Sequence, residues 1–287
     1  MNADGGIAVV GLMALRQACP LMLAAMGGIL SERSGVINIA LEGLMLTGAF
    51  VAVWVGASWG CAAGFVSALA VATVMAGVHL VLTQRLRTNQ IVSGVALNLL
   101  ALHASTFLLR SLFHQATPPR EARVAETLPL GWFIGAALVL PLLLHGFLYH
   151  TKLGLRIRAV GEDPGAARMA GVNPSSPRAY GVLASGLLAG AAGAFLSLSL
   201  VGRFTDDMVG GRGFIALAAV VCGRWTPIGA ALACLAFGTL DALQLHLQGA
   251  VALPAELLRT MPYVFTIVAA ALFRSYPPAG LGRVEDD

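Results

Sequence analysis

The chain has 287 residues, of which 57% are hydrophobic and only 11% charged, with a mean hydropathy of +0.81. Soluble domains carry about 25% charged residues, so a chain this poor in charge cannot clothe a water-facing surface of its own size. The net charge of +4 and pI near 9.2 do not point to nucleic acid, because the basic residues fall in short clusters between apolar runs and no stretch interleaves them with aromatic side chains.

A helix that crosses a hydrocarbon core about 30 Å thick needs roughly 20 apolar residues. In chain order the candidate runs are 7–30, 36–56, 60–82, 90–109, 131–150, 179–201, 213–223, 228–247 and 260–273. The N-terminal residues carry Asp4 and no basic residue, unlike a cleaved signal peptide, so the first run reads as a retained span. It contains Arg16 near its middle, which a lone lipid-facing helix would not accommodate. Gly43 to Gln84 holds no Asp, Glu, Lys or Arg and is about two spans long, with Ser58-Trp59-Gly60 as the turn between them. The run 213–223 is too short to cross alone and reads as a half-helix or re-entrant segment between Gly210-Gly211 and Gly223-Arg224-Trp225-Thr226-Pro227. The sequence thus predicts an all-α polytopic membrane bundle of about 8–10 transmembrane helices, in a single domain 1–287. A transmembrane barrel would instead show alternating segments of about 10 residues.

Orientation follows from the loops. The segment 151–178 holds Lys152, Arg156, Arg158, Arg168 and Arg178 against Glu162 and Asp163 and is expected on the cytoplasmic side, together with Arg85 and Arg87. The loop 110–130 then falls outside, despite Arg110, Arg120 and Arg123. If 213–223 completes a crossing, nine crossings put the N-terminus outside and the C-terminus inside.

Three segments carry polar chemistry. In the first, Ser34 to Gly43, a helix would place Asn38 and Glu42 four residues apart on one face, and glycines at both ends permit a break that exposes backbone groups to a solute. The other reading is a polar helix start with Glu42 at the positive end of the helix dipole. The second is Thr88-Asn89-Gln90-Ile91-Val92-Ser93-Gly94 followed by Asn98; its carboxamides suit hydroxyls or a nucleobase edge, or else serve as caps and interhelical bonds. The third is the loop around Gly161-Glu162-Asp163-Pro164, where Asp163 as N-cap and Pro164 at the first helical position start a short helix that Gly171 and Asn173-Pro174 end. Cys19, Cys61, Cys222 and Cys234 lie in apolar runs without CxxC spacing and read as small buried hydrophobes. Arg16, Asp241 and His246 are candidates to pair with one another or with Glu42. No metal-ligand spacing, GxxxxGK[ST] loop or nucleophile–base pair is visible, so the chain does not read as an enzyme.

These segments resemble the permease subunits of bacterial ABC importers for simple sugars and nucleosides. The resemblance rests on Leu30 to Gly43, Thr88 to Asn98, Ala159 to Pro164 with the Ala-rich helix after it, and Arg212-Gly213-Phe214-Ile215-Ala216-Leu217-Ala218-Ala219, in the same order over nearly the whole chain. Glu42-Gly43 with Asn89-Gln90 is most similar to the nucleoside branch, since the Asp-containing glycine motif of the ribose-type branch is absent. The resemblance implies a multi-pass protein of the bacterial inner membrane that works by alternating access. It implies a second related permease, a heterodimer being expected, with an extracytoplasmic solute-binding protein and a cytoplasmic ABC ATPase. That ATPase, which uses ATP and Mg2+ that this chain does not bind, would dock on Gly161, Glu162, Asp163, Pro164, Ala167 and Gly171. Asn38, Glu42, Asn89, Gln90, Ser93 and Asn98 are the candidates for the substrate pathway. Ribose or other simple sugars are the alternative cargo; an ion-coupled carrier using Glu42 or Asp241, or an intramembrane lipid enzyme, fits the scattered ionisable residues less well.

Overall fold

A computed structural model describes residues 3–113, 128–248, 260–272 and 276–283. The helices are α1 (Ala3–Arg33), α2 (Leu41–Trp59), α3 (Cys61–Leu80), α4 (Gln90–Phe113), α5 (Leu130–His150), α6 (Lys152–Glu162), α7 (Pro164–Met169), α8 (Ser175–Ala194), α9 (Arg212–Cys222), α10 (Pro227–Leu247) and α11 (Met261–Leu272). Two π-type turns, Val81–Arg85 and Phe195–Val201, prolong α3 and α8. Among the described residues seven helices are long and apolar enough to span a membrane, which makes the chain an all-α polytopic membrane protein. Most of the expected loop 110–130 lies outside the described residues.

The bundle has an inner and an outer set. Within their apolar windows α1, α2 and α8 are 72%, 72% and 78% buried, whereas α3, α4, α5 and α10 are 22–28% buried and turn Val, Leu and Phe side chains outward. This is the distribution lipid demands: the outer faces meet hydrocarbon, and the inner helices meet only protein. Small residues bring the inner set together. A Cβ on Gly48 of α2 would lie 2.8 Å from Gly190 Cα of α8, so backbone meets backbone where the two cross, and one on Gly190 would lie 2.8 Å from the Ala68 carbonyl oxygen of α3. On α3, Ala68, Ala72 and Ala76 recur at one-turn spacing and face Gly186 and Gly190. The turn between α2 and α3 is the single residue Gly60 at φ +88°, in the Ser58-Trp59-Gly60 position expected, and only glycine accepts that conformation without strain.

The seventh apolar run completes a transit by an indirect route. Thr106, 16 residues beyond the start of α4 and so about 24 Å along it, donates to Asp206 at 3.0 Å; Phe204 stacks edge-on against Phe50. From that level the irregular segment 202–211 descends until the Gly211 amide meets Glu42, in the first turn of α2. The helix α9 then runs to the opposite end, where the Trp225 carbonyl accepts from Arg33 Nε at 2.8 Å. After it α10 returns alongside α1, with Gly238 packed on Ala14 and Ala18. The turn 279–282 lies against Gly35 and Gly161, at the end bearing the basic loop.

Substitution should distinguish the close crossings from open helix faces. Gly190→Val is expected to cost about 3 kcal/mol, the upper part of the overpacking range, while Gly146→Ala, where a Cβ meets nothing within 4 Å, is expected to be neutral or slightly stabilising. Thermal denaturation of the two detergent-solubilised variants checks this; equal midpoints would refute the packing assignment.

Candidate functional site

The chain leaves helical geometry after Arg33 and does not resume it until Leu41. The apolar run 36–56 therefore begins as an irregular buried segment, and Asn38 and Glu42 do not share a helix face as their spacing suggested. The physical reason is that neighbouring elements supply a complete alternative set of hydrogen bonds. Gly35 reverses the chain at φ +92°. Ser31 Oγ donates to the Val36 carbonyl at 2.8 Å, and the Val36 amide donates back to the Ser31 carbonyl at 3.2 Å. The Ile37 amide donates to Gln90 Oε1 at 2.7 Å, and the Ile37 carbonyl faces His79 Nε2 at 3.1 Å. A carbonyl can only accept, so Nε2 is the donor there, and in the neutral ring Nδ1 accepts from Ser93 Oγ at 2.9 Å. Asn98 bridges the break: Nδ2 donates to the Ile39 carbonyl at 2.9 Å, and Oδ1 accepts from the Gly43 amide at 2.8 Å, capping α2 from another helix.

The two remaining polar residues of this segment reach further. Asn38 Nδ2 donates to Ser185 Oγ on α8 at 2.5 Å. Glu42 accepts from the Gly211 amide at 2.8 Å through Oε1 and from the Gly213 amide at 2.6 Å through Oε2. Its carboxylate thus sits in the first turn of α2 and against the N-terminus of α9, where two sets of unpaired amides and two helix dipoles favour negative charge. Gly213 has no substitute here, since a Cβ would lie 2.5 Å from the Glu42 backbone. Glu42 therefore pairs with glycine amides, not with Arg16.

Of the six pathway candidates, Asn38, Glu42, Gln90, Ser93 and Asn98 converge on this break, and all but Asn98 are buried. Asn89 does not join them: its side chain is exposed and caps α4, Oδ1 accepting from the Ile91 amide at 2.9 Å. His79 and Ser185 also belong to the network; a lone His in an apolar run reads as a satisfied bundle residue, as His79 is, and neither it nor a lone Ser carries a local signal of its partner. Asn38 Oδ1 and Gln90 Nε2 are buried and lack a hydrogen-bond partner. Two cavities lie elsewhere. One of about 520 Å³ is lined by Leu23, Phe65, Leu128, Trp132 and Phe133, and one of about 360 Å³ by Arg16, Gln17, Leu200 and His246.

At the end bearing the basic loop, Asp163 caps α7 as expected: Oδ1 accepts from the Ala166 amide at 3.0 Å, Pro164 takes the first helical position, and Gly171 at φ +81° ends the turn. Glu162 Oε1 lies 3.4 Å from Arg33 Nη1. The Trp225 indole donates to Glu32, a carboxylate buried in the same corner.

Sequence comparison agrees with this architecture. A family model described as "Branched-chain amino acid transport system / permease component" matches residues 11–273. The nucleoside ABC transporter permease NupC of Lactococcus lactis subsp. cremoris is 34% identical over 95% of this chain and 94% of its own length. The guanosine ABC transporter permease NupQ of Bacillus subtilis is 37% identical over 89% of each. TsgC13 of Haloferax volcanii, provisionally a glucose ABC transporter permease, is 39% identical over 82% of this chain and 76% of its own. The first two bacteria each supply a second, more distant permease match, NupB at 24% and NupP at 25%.

Removing the Glu42 acceptor should loosen α9 in particular. Glu42→Leu leaves one buried and one half-buried amide without their acceptor and is expected to cost about 3 kcal/mol, with Glu42→Gln intermediate because its carboxamide keeps one acceptor. Amide exchange over residues 211–214 is expected to quicken in the same order. Unchanged exchange in Glu42→Leu would show that the carboxylate does not hold the helix.

Proposed function

Because the chain belongs to the family of permease components of branched-chain amino acid transport systems, and is a multi-pass transport subunit, not an enzyme, we propose that its cargo is a nucleoside, imported by an ABC transporter. The nucleoside and guanosine ABC transporter permeases among its relatives support this cargo. The observation in the molecule that carries it is the break at residues 34–40. A buried non-helical segment held by side chains of three other helices is a segment that can be re-held in a second arrangement, as alternating access requires. Its two unpartnered atoms, Asn38 Oδ1 as acceptor and Gln90 Nε2 as donor, complement a ligand edge that offers both a donor and an acceptor, as a nucleobase does. Glu42, Ser93 and Asn98 shape the same pathway by fixing the break, and Asn89 acts at a distance through the cap of α4.

The energy source lies outside the chain. An ABC ATPase using ATP and Mg2+ docks on the surface formed by Glu162, Asp163, Pro164 and Gly171, with Gly161 and Ala167 buried beneath it as supports, and a solute-binding protein delivers cargo at the opposite end. The chain pairs with a second permease, a reading supported by the paired permeases found in two bacteria. Simple sugars are the second reading for the cargo, favoured by the glucose relative.

Uptake of labelled nucleoside, ribose and leucine into cells lacking the chain, with and without its restoration, separates these readings. Chain-dependent and ATP-dependent nucleoside uptake is the expected result, and unchanged nucleoside uptake would overturn the cargo. Asp163→Ala removes the α7 cap, about 1 kcal/mol of local stability. It is expected to lower transport-stimulated ATP hydrolysis while the chain still accumulates in the membrane. Full stimulation in that variant would refute the docking assignment.

A further inference from the structure

The break and the proposed docking surface belong to different parts of the chain, yet a third segment touches both. Beyond α11 the described residues 276–283 form two successive tight turns, with the Leu281 amide donating to the Pro278 carbonyl at 3.0 Å and the Arg283 amide to the Gly280 carbonyl at 3.2 Å. Three amides of this turn point outward from it. Ala279 donates to Glu162 Oε2 at 3.2 Å, and Gly280 donates to the Gly161 carbonyl at 2.9 Å, both at the end of α6. Gly282, at φ +79°, donates to the Gly35 carbonyl at 3.0 Å, the residue whose positive φ begins the break. Arg178, at the start of α8, donates to the Arg283 carbonyl at 3.3 Å and to Gln84 Oε1 at 3.0 Å.

The fit is as close as backbone allows. A Cβ on Gly280 would stand 2.9 Å from the Gly161 oxygen and 3.1 Å from Pro164 Cδ, the first residue of α7; one on Gly282 would stand 3.0 Å from Ile37 Cδ1. Gly161 itself packs on the Arg33 carbonyl. Apart from this turn, α7 is joined to the bundle by the extended residue Asp163, by residues 170–174 leading into α8, by Gly161 packed against Arg33 and Gly35, and by the Arg33–Glu162 pair, whose Glu162 side chain is 53% exposed and so weakly held; the turn adds direct backbone bonds from the end of α6 to Gly35.

We propose that the C-terminal turn 278–283 is a clasp that carries displacement of α7 to the break at Gly35, and that Gly280 and Gly282 are positioning residues for transport. This rests on the reading that the ATPase docks on the α6–α7 surface. A push on α7 moves Pro164 and the Gly161 carbonyl. The turn is bonded to that carbonyl and to Gly35, and therefore shifts the segment on which His79, Gln90, Asn98 and Ser185 converge.

The test uses the full transporter with this chain ending at Pro278, and with Gly280→Val as a milder lesion should the shortened chain fail to accumulate; Gly280→Ala serves as the conservative partial restoration. Two quantities are read. One is nucleoside uptake per membrane-inserted chain, expected to fall about tenfold, within the usual range for coupled sites. The other is amide exchange of the purified chain, expected to quicken at residues 35–40 while residues 46–53 of α2 stay protected. Exchange that stays slow at 35–40 overturns the clasp, and so does quickened exchange with uptake unchanged. If the unaltered chain moves no nucleoside, the cargo reading fails by itself, and the clasp is then decided by the exchange comparison together with ATP hydrolysis stimulated by the binding protein.

Discussion

Inside a bilayer, a backbone group that leaves its helix has no water to turn to, and each one left unpaired costs several kcal/mol. Residues 34–40 face that constraint between two of the most deeply buried helices of the molecule. Partners arrive from α1, α3, α4 and the C-terminal turn, while Asn38 anchors the segment to α8 through Ser185. The positions of those helices follow from this requirement as much as from apolar packing. Dispersion and small-residue contacts bring α2, α3 and α8 together without fixing their register, whereas a bond from Asn98 to both Ile39 and Gly43 admits one register only.

Glu42 extends the same logic to a second helix. One carboxylate satisfies the start of α9 while standing in the first turn of α2, so the two interrupted crossings share a common origin. Moving either helix start obliges the other to follow or to lose two charge-assisted bonds. A transporter must exchange one closed arrangement for another, and a bundle with its discontinuities joined at a single group changes as a unit instead of in parts.

Much of the fold is legible in the sequence. Gly43 to Gln84 has no charged residue and a single turn signal, and it forms two helices hinged on Gly60. Asp163-Pro164 and Gly171 bound a short helix because capping is a local interaction between neighbours in sequence. The site was legible as a set of residue types and not as a geometry. Asn38 and Glu42 at a spacing of four imply a shared helix face, and the implication fails because long-range partners outweigh intrahelical bonds. His79, Ser185, Glu32 with Trp225, and the pairing of Gly282 with Gly35 leave no trace in any local window, since each depends on a residue tens to hundreds of positions away.

The shortness of α9 has a consequence for how the molecule is made. Eleven residues give a rod of about 16 Å, half the depth of the hydrocarbon core, and the approach through 202–211 exposes bare peptide groups along the way. The translocon releases segments sideways into lipid when they are stable there by themselves, and this one is not. Its Gly211 and Gly213 amides find their acceptor on Glu42 of α2, so its backbone is satisfied only when that helix is already in place. The seventh crossing is therefore a late folding event within an already inserted bundle, and errors in its assembly would yield a chain that is fully threaded through the membrane yet not native.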